Sequence, residues 1–497
     1  MNLTKKLFSY IVAIAMIFTL TAFAGGAVNA ANAKTYALTL QNNGKTTHTF
    51  EVYQIFTGDL SEGILSNVQW GNGVSEEGKT TLGDAAKKAE DLAKSTDNSL
   101  PVKTFAENLQ KYLQNGTEKE VAANQTASIE GLAAGYYLVK DKASSQNQEN
   151  GAYTSYILKV VKDITATTKL DVPTVEKKVQ DTNDSTGKTS GWQDSADYDI
   201  GDEIPYQITG SMPANIGDYK SYKYVFTDTM SKGLTFKTGS AKIMIGTTEV
   251  TGKFTENVTT NDDGSTVTWT CDDLKTAGVE LTSTTKVVVT YKATLNEKAV
   301  IGSAGNPNTV NLTYSNNPNK GGEGETGKTP DDKNIVFTYK AVVNKVDQDK
   351  KSLAGAGFTL QKKVNGAYTD VKSFTAGEAT TFTFTGLDDG EYKLIESTTP
   401  AGYNTITPIE FTISATHDEE SADPKLTELT VSKVSDGTTF IDDKDAGSLT
   451  TDVVNKKGST LPETGGMGTT LLYAVGGVLV ALAAAYIIIS KKHEKAE

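Results

Sequence analysis

From Lys34 to about Ala446, apolar and polar residues alternate in short runs rich in Thr, Val, Tyr and Phe, broken by Gly, Asn and Asp. A period of two gives each run one apolar and one polar face, so the runs read as half-buried strands. The clearest are 36–40, 50–56, 153–161, Lys286–Leu295 and 380–384. Many short strands with turn residues between them are the mark of antiparallel sandwiches. The expected fold class is therefore all-β: tandem immunoglobulin-like sandwiches. One stretch has another period. Positions 82–94 and 102–113 carry Ala, Leu, Lys and Glu at helical spacing, which predicts helices decorating the first sandwich.

Two shifts in composition suggest boundaries. Positions 165–173 are Thr-rich and end in Pro, and 316–332 are full of Asn, Gly, Pro and Glu. The second reads as a long loop or linker. Domains are expected at 34–170, 171–334 and 335–456. The second and third begin alike, each with a Lys on a Val-rich strand just after a linker.

The two ends lack the alternation. Lys5 and Lys6 precede an apolar stretch that runs to about Val28 and closes on small residues. That predicts a secretory signal peptide over 1–30, cleaved after Ala30 or Ala33. At the other end, 470–490 is apolar, uncharged and long enough to span a bilayer as one helix. The basic tail 491–497 marks its cytoplasmic side. The exported part, about 430 residues, is too long for one core and suits three domains.

Charge and residue counts narrow the function. With 48 Lys and Arg against 61 Asp and Glu, the net charge of -13 argues against nucleic acid. Only three histidines occur, His48, His417 and His493, so neither a His-based triad nor a His-rich metal site is expected. No carboxylate-pair hydrolase motif stands out, and no cofactor is implied. Cys271 is the single cysteine, in an alternating run that makes it structural. The chain therefore cannot form an internal disulfide, although it is bound for an oxidising place. A secreted rod without disulfides needs another cross-link.

Strand parity suggests one. Lys345 shares a face with Val343, Glu396 with Tyr392 and Leu394, and Asn455 with Val453. If these are inner faces, an amine, an acid and a carboxamide enter an apolar core where each alone would be costly. Desolvation favours a neutral amine and a protonated acid. Such an acid can polarise the Asn455 carbonyl and shuttle protons. Lys345 can then attack, expel ammonia and form an amide, a staple that restricts the unfolded chain much as a disulfide does. The second domain invites the same reading. Lys177 has the parity of Val175 and Val179, Asp228 that of Tyr224 and Phe226, and Asn308 that of Val310 and Leu312. Lys178 and Asn306 or Asn311 stand close by as alternatives.

Several segments resemble a known family. Leu461, Pro462, Glu463, Thr464 and Gly465, followed by the apolar run and the basic tail, resemble the cell-wall sorting signal that sortases read in Gram-positive surface proteins. Segments 353–360 and 392–403 are similar to a Cna B-type domain of pilins and adhesins. Segments 199–206 and 227–234 resemble the middle domain of backbone pilins. Segment 131–140 resembles the matching Cna B hairpin but lacks the Glu, so no staple is expected in the first domain. Together they cover nearly the whole chain and resemble the Gram-positive, sortase-assembled backbone pilins.

The resemblance implies a Lys345–Asn455 bond promoted by Glu396 and a Lys177–Asn308 bond promoted by Asp228. It implies cleavage between Thr464 and Gly465, with the Thr464 carboxyl passed to an amine. The family's acceptor lysine follows a Val-x-Val-Tyr-Pro run. The best match is 164–169, with Thr in place of Tyr and Pro, so Lys169 is expected and Lys162 is the second choice. Implied partners are a class C and a housekeeping sortase, identical and minor pilin subunits, peptidoglycan and host surface ligands. The expected role is a structural subunit anchored to the cell wall, not a turnover enzyme. The rival reading, a minor pilin or a monomeric adhesin, predicts a dedicated binding domain that so evenly composed a chain does not display.

Overall fold

A computed structural model of the chain describes residues 34–458 and 467–493, apart from 45, 96–99, 143, 145–148, 150, 152, 154, 168–171 and 319–320. The signal-peptide segment, Lys169, the motif Leu461 to Gly465 and the last residues of the basic tail lie outside the described residues.

The chain forms three successive sandwiches. In the first, strand Tyr36–Gln41 lies between Thr126–Leu132 and, in parallel, Ile164–Thr167. A second sheet is built on the long strand His48–Ser61, with Ile64–Trp70 on one side, Gly135–Asp141 and Ser155–Val160 on the other, and Thr117–Val121 also pairing with it. Leu38 and Leu40 of the small sheet meet Phe50, Val52 and Val139 of the large one. The expected helical stretch appears as three helices, Glu76–Leu82, Ala85–Ala93 and Leu100–Leu109. The first starts before the predicted segment, where the Ser75 hydroxyl accepts from the Gly78 amide at 3.2 Å and caps it. Ala89, Leu92 and Phe105 cover the other face of the large sheet, against Ile55, Phe56 and Tyr136. That second cover explains why Tyr136 to Val139 are all buried despite a strand's alternation.

The second sandwich sets the sheet Ser195–Asp197, Asp332–Phe337, Asn306–Ser315, Tyr224–Ser231, Gly264–Cys271, Thr255–Asn261 against the sheet Thr248–Glu249, Lys242–Ile245, Lys286–Leu295, Glu203–Ser211, Val175–Val179. Between them lies one large apolar core containing Tyr206, Phe226, Trp269 and Tyr291. Cys271 is buried in this core, and burial pushes its thiol pKa up.

The expected linker 316–332 is folded into this domain instead. Thr326–Lys328 pairs with Asn306–Ser315, Asn316 and Asn317 are buried, and the Ser315 hydroxyl donates to the Gly322 carbonyl at 2.7 Å. Gly322 has φ 93°, and a Cβ there would lie 2.0 Å from the Ser221 carbonyl oxygen, so the glycine serves a close packing contact. The strand Asp332–Phe337 crosses the boundary expected at 334, and the third sandwich begins at Tyr339. Turn-forming composition reports local backbone geometry, and a turn-rich segment can still be packed.

In the third sandwich, Tyr339–Asp347 sits between Thr381–Leu387 and, in parallel, Ser448–Asn455, with Phe440–Asp443 at the edge. The facing sheet runs Ala367–Phe374, Gly357–Val364, Gly390–Thr398, Ile409–His417, Leu426–Ser432. The second and third domains touch closely. A Cβ on Gly302 would lie 2.4 Å from the Asp445 carbonyl oxygen.

After the third sandwich the helix Met467–His493 stands with its described side chains, 472–487, exposed. The expected span 470–490 reaches beyond those side chains. Among the described residues no helix is long and apolar enough to cross a membrane.

Candidate functional site

In the third domain Lys345 lies on Tyr339–Asp347, the first strand, and Asn455 on Ser448–Asn455, the last. These strands are parallel neighbours, with Lys345 opposite Val453 and Asp347 opposite Asn455. Glu396 comes from Gly390–Thr398 in the facing sheet. Lys345 and Asn455 are fully buried, and Glu396 is 6% exposed. Asn455 Nδ2 donates to Glu396 Oε1 at 2.9 Å and Oε2 at 3.1 Å. Glu396 is held in turn by the Thr399 hydroxyl at 3.3 Å and the Ile406 amide at 3.1 Å. Lys345 Nζ donates to the carbonyls of Val453 at 3.0 Å and Val346 at 3.2 Å. Burial pulls the Lys345 pKa down to about 8, against the opposing pull of Glu396 and Asp347. One expectation changes. Glu396 faces the Asn455 amide nitrogen, and the buried Asn455 Oδ1 has no hydrogen-bond partner. The acid therefore stands on the carboxamide nitrogen rather than on the carbonyl it was expected to polarise.

In the second domain Lys177 sits on Val175–Val179, and Asp228 and Asn308 on Tyr224–Ser231 and Asn306–Ser315 of the opposite sheet. All three are fully buried. They converge on one hydroxyl. Tyr291 Oη donates to Asp228 Oδ2 at 2.7 Å and accepts from Lys177 Nζ at 2.6 Å and Asn308 Nδ2 at 2.9 Å. Lys177 Nζ also pairs directly with Asp228 Oδ2. Nζ stands 5.1 Å from the ring centroids of both Tyr206 and Tyr291. Burial lowers the Lys177 pKa, and Asp228 opposes that shift. Asn308 Oδ1 has no partner.

The nearby alternatives are occupied elsewhere. Lys178 points away from the core and pairs with Asp194 at 2.8 Å. Asn306 makes three bonds to backbone, to Val300 N and O and to Val336 O. Asn311 donates to Asp331 on the exposed side at 3.0 Å.

Tyr291 was not anticipated. Its signal was present: it shares a face with Val287, Val289 and Ala293 in a strand buried on that face, and a buried tyrosine hydroxyl needs a partner. Two histidines meet carboxylates. His48 Nδ1 lies 2.8 Å from Asp141 Oδ1, fully buried, with the Thr46 hydroxyl 3.2 Å from Nε2. His417 Nε2 lies 3.5 Å from Asp181 Oδ2.

In the first domain the hairpin that starts at Gly135 carries Asp141, not Glu, at the position Glu396 holds after Gly390, and the buried Asp141 lies against His48. Lys162 is exposed, just before the edge strand Ile164–Thr167.

Three family models match the chain: a Gram-positive pilin backbone subunit 2, Cna-B-like domain at 200–318, a prealbumin-like fold domain at 340–425, and an LPXTG cell wall anchor motif at 453–496. The trypsin-resistant surface T6 protein of Streptococcus pyogenes serotype M6 is 27% identical over 398 residues, covering 66% of this chain and 70% of the relative. The solved T6 backbone pilin of serotype M6 Streptococcus pyogenes has the same fold, with TM-score 0.56 at 20% identity, covering 86% of this chain and all of that one. The major pilin SpaD of Corynebacterium diphtheriae aligns at 19% identity and TM-score 0.49, covering 87% and 99%. A pilin backbone domain, a prealbumin-like domain and a wall anchor thus follow one another along the chain, and with the T6 relative they support a Gram-positive, sortase-assembled backbone pilin.

Proposed function

We propose that this wall-anchored pilus subunit carries two internal amide bonds, Lys345–Asn455 and Lys177–Asn308, each formed once and without an external enzyme. What supports the reading is that a buried amine, a carboxyl group and a carboxamide come together in two different domains. In the third domain the neutral Lys345 Nζ attacks Asn455 Cγ and the new C–N bond forms. A proton from Nζ passes to Glu396 and on to Asn455 Nδ2. The Cγ–Nδ2 bond then breaks and ammonia leaves, so atoms and charge balance. In the second domain Asp228 acts in the same role, with Tyr291 between it and Asn308.

The mechanical consequence follows from connectivity. Lys345 and Asn455 are 110 positions apart, and Lys177 and Asn308 are 131 apart. A bond joining early and late strands carries tension directly and leaves the segments between unloaded. Between subunits, a class C sortase cleaves Thr464–Gly465 and passes the Thr464 acyl group to Lys169 of the next subunit, with Lys162 the second candidate. A housekeeping sortase then joins the finished fibre to peptidoglycan. Minor pilins complete the fibre.

Wall extracts boiled in detergent test this polymerisation. A high-molecular-weight ladder is expected, lost in Lys169→Ala and kept in Lys162→Ala. A single monomer band in the unmodified strain would overturn the backbone reading in favour of a monomeric adhesin that binds a host ligand.

A further inference from the structure

The joint between the second and third domains gathers more acid than it can hold unaided. Asp184, Asp199 and Asp388 surround Lys362, whose Nζ pairs with all three, so that group already has its cation. The second group's own base is an imidazole, His417, whose pKa burial would lower but Asp181 and Asp197 raise. Asp181 and Asp197 of the second domain and His417 of the third each present a ligand atom, all within 4.8 Å of one another. Asp197 is 2% exposed, and its Oδ2 has no hydrogen-bond partner; neither has Asp181 Oδ1. The fully buried Tyr339 hydroxyl faces Asp197, with Asp389 and Asp181 as its further charged neighbours.

Hydrogen bonding fixes the imidazole. The Ser195 hydroxyl donates to the Asp418 carbonyl at 2.5 Å, so its oxygen must accept from His417 Nδ1, 2.7 Å away. Nδ1 therefore carries a proton, and Nε2 is turned toward Asp181. A neutral imidazole in this tautomer would aim a lone pair at two carboxylates. This is the arrangement in which metal-ligating histidines are held, with the far nitrogen donating to an oriented oxygen.

We propose that Asp181, Asp197 and His417 bind a divalent cation of the zinc class, which clamps the second domain to the third. One imidazole with carboxylates suits a borderline cation better than calcium, which takes oxygen ligands only. Ligand distances of about 2.0–2.2 Å for zinc are reached by small side-chain movements from the observed spread. Asp389, held by Asn183 at 2.7 Å, adds a further negative charge beside Asp197.

The full-length chain, purified in detergent and stripped with chelator, is titrated with zinc chloride alone at neutral pH, followed by calorimetry and thermal unfolding. One equivalent should bind and the midpoint of the joint should rise. His417→Gln and Asp197→Asn should each weaken binding at least tenfold. Asp181→Asn, at a half-buried position, repeats the test where the buried variants fold poorly. Intact mass and circular dichroism report folding independently of metal. Absence of stoichiometric zinc uptake overturns the proposal. So does uptake unchanged in all three variants, or a response to calcium and not to zinc. A joint stabilised by acidification but indifferent to zinc would show that an imidazolium fills the role, and would also overturn it.

Discussion

Asn455 presents its amide nitrogen to both oxygens of Glu396, at 2.9 and 3.1 Å, across the two sheets of the third domain. Lys345 lies one strand away, with its amine on two backbone carbonyls. Glu396→Ala removes the proton carrier and leaves Asn455 Nδ2 without a partner. The variant should keep one ammonia more than the parent by intact mass. Closing a loop of ~100 residues is worth about 4.7 kcal/mol in the chain-entropy treatment. The third domain should thus melt roughly 10–20 °C lower. An unchanged mass would show that Glu396 does not promote bond formation.

Tyr291 makes a more specific test, because it touches all three groups of the second domain. Tyr291→Phe keeps the ring packing against Tyr206 and deletes only the hydroxyl. Bond formation in the second domain should slow, with unbonded chains accumulating, while the third domain is unaffected. Groups left unpaired should cost about 1–3 kcal/mol in the unbonded fraction. Mass spectrometry of the two domains' peptides after timed refolding separates these outcomes, and equal rates in parent and variant would rule the hydroxyl out.

The lysine pKa gives a pH signature. In Asn455→Ala, Lys345 has nothing to attack and remains a free amine. Its pKa is about 8 in the fold, lowered by burial, against an ordinary value of 10.5. Between those values the unfolded chain binds more protons than the folded one, so stability must rise with pH across that window. Thermal midpoints measured from pH 8 to 10.5 should climb. In the unmodified chain, whose amine the proposed Lys345–Asn455 bond would take up, the climb should be absent. A flat profile in the variant would mean that the buried amine is not perturbed.

Lys362 should hold the second domain to the third. Burial alone would lower its pKa, but Asp388 and Asp199 push it above the ordinary value, so it is charged and paired. Lys362→Met keeps much of the side chain's bulk but leaves Asp184, Asp199 and Asp388 facing one another. Removing one partner of a buried pair costs about 3–5 kcal/mol. The two domains should then unfold as separate transitions, and protease should reach the joint around Thr338. A single transition like the parent's would show that the acids are neutralised some other way.

The sequence by itself determined the strands, their inner and outer faces and the helical insert, because a period of two or 3.6 is a property of local backbone geometry. It also assigned Lys345, Glu396 and Asn455 the parity of apolar strand neighbours and marked the ends of the chain through their uninterrupted apolar runs, whereas the burial of those three residues came from the packed fold. The tertiary structure decided what parity leaves open. Lys177 and Lys178 are neighbours on opposite faces, yet only the packed sandwich shows Lys178 meeting Asp194 and Lys177 meeting Tyr291. Asn306 and Asn308 share a parity, so strand pattern cannot separate them. What separates them is that Asn306 bonds to a loop and Asn308 to the opposite sheet. The segment 316–332 looks like a linker by composition, but long-range contacts fold it into the second domain. His417 gains its acidic neighbours only because two domains abut, 222 positions apart in sequence at Ser195. In each case the deciding partner is distant along the chain, and only the packed fold brings it within reach.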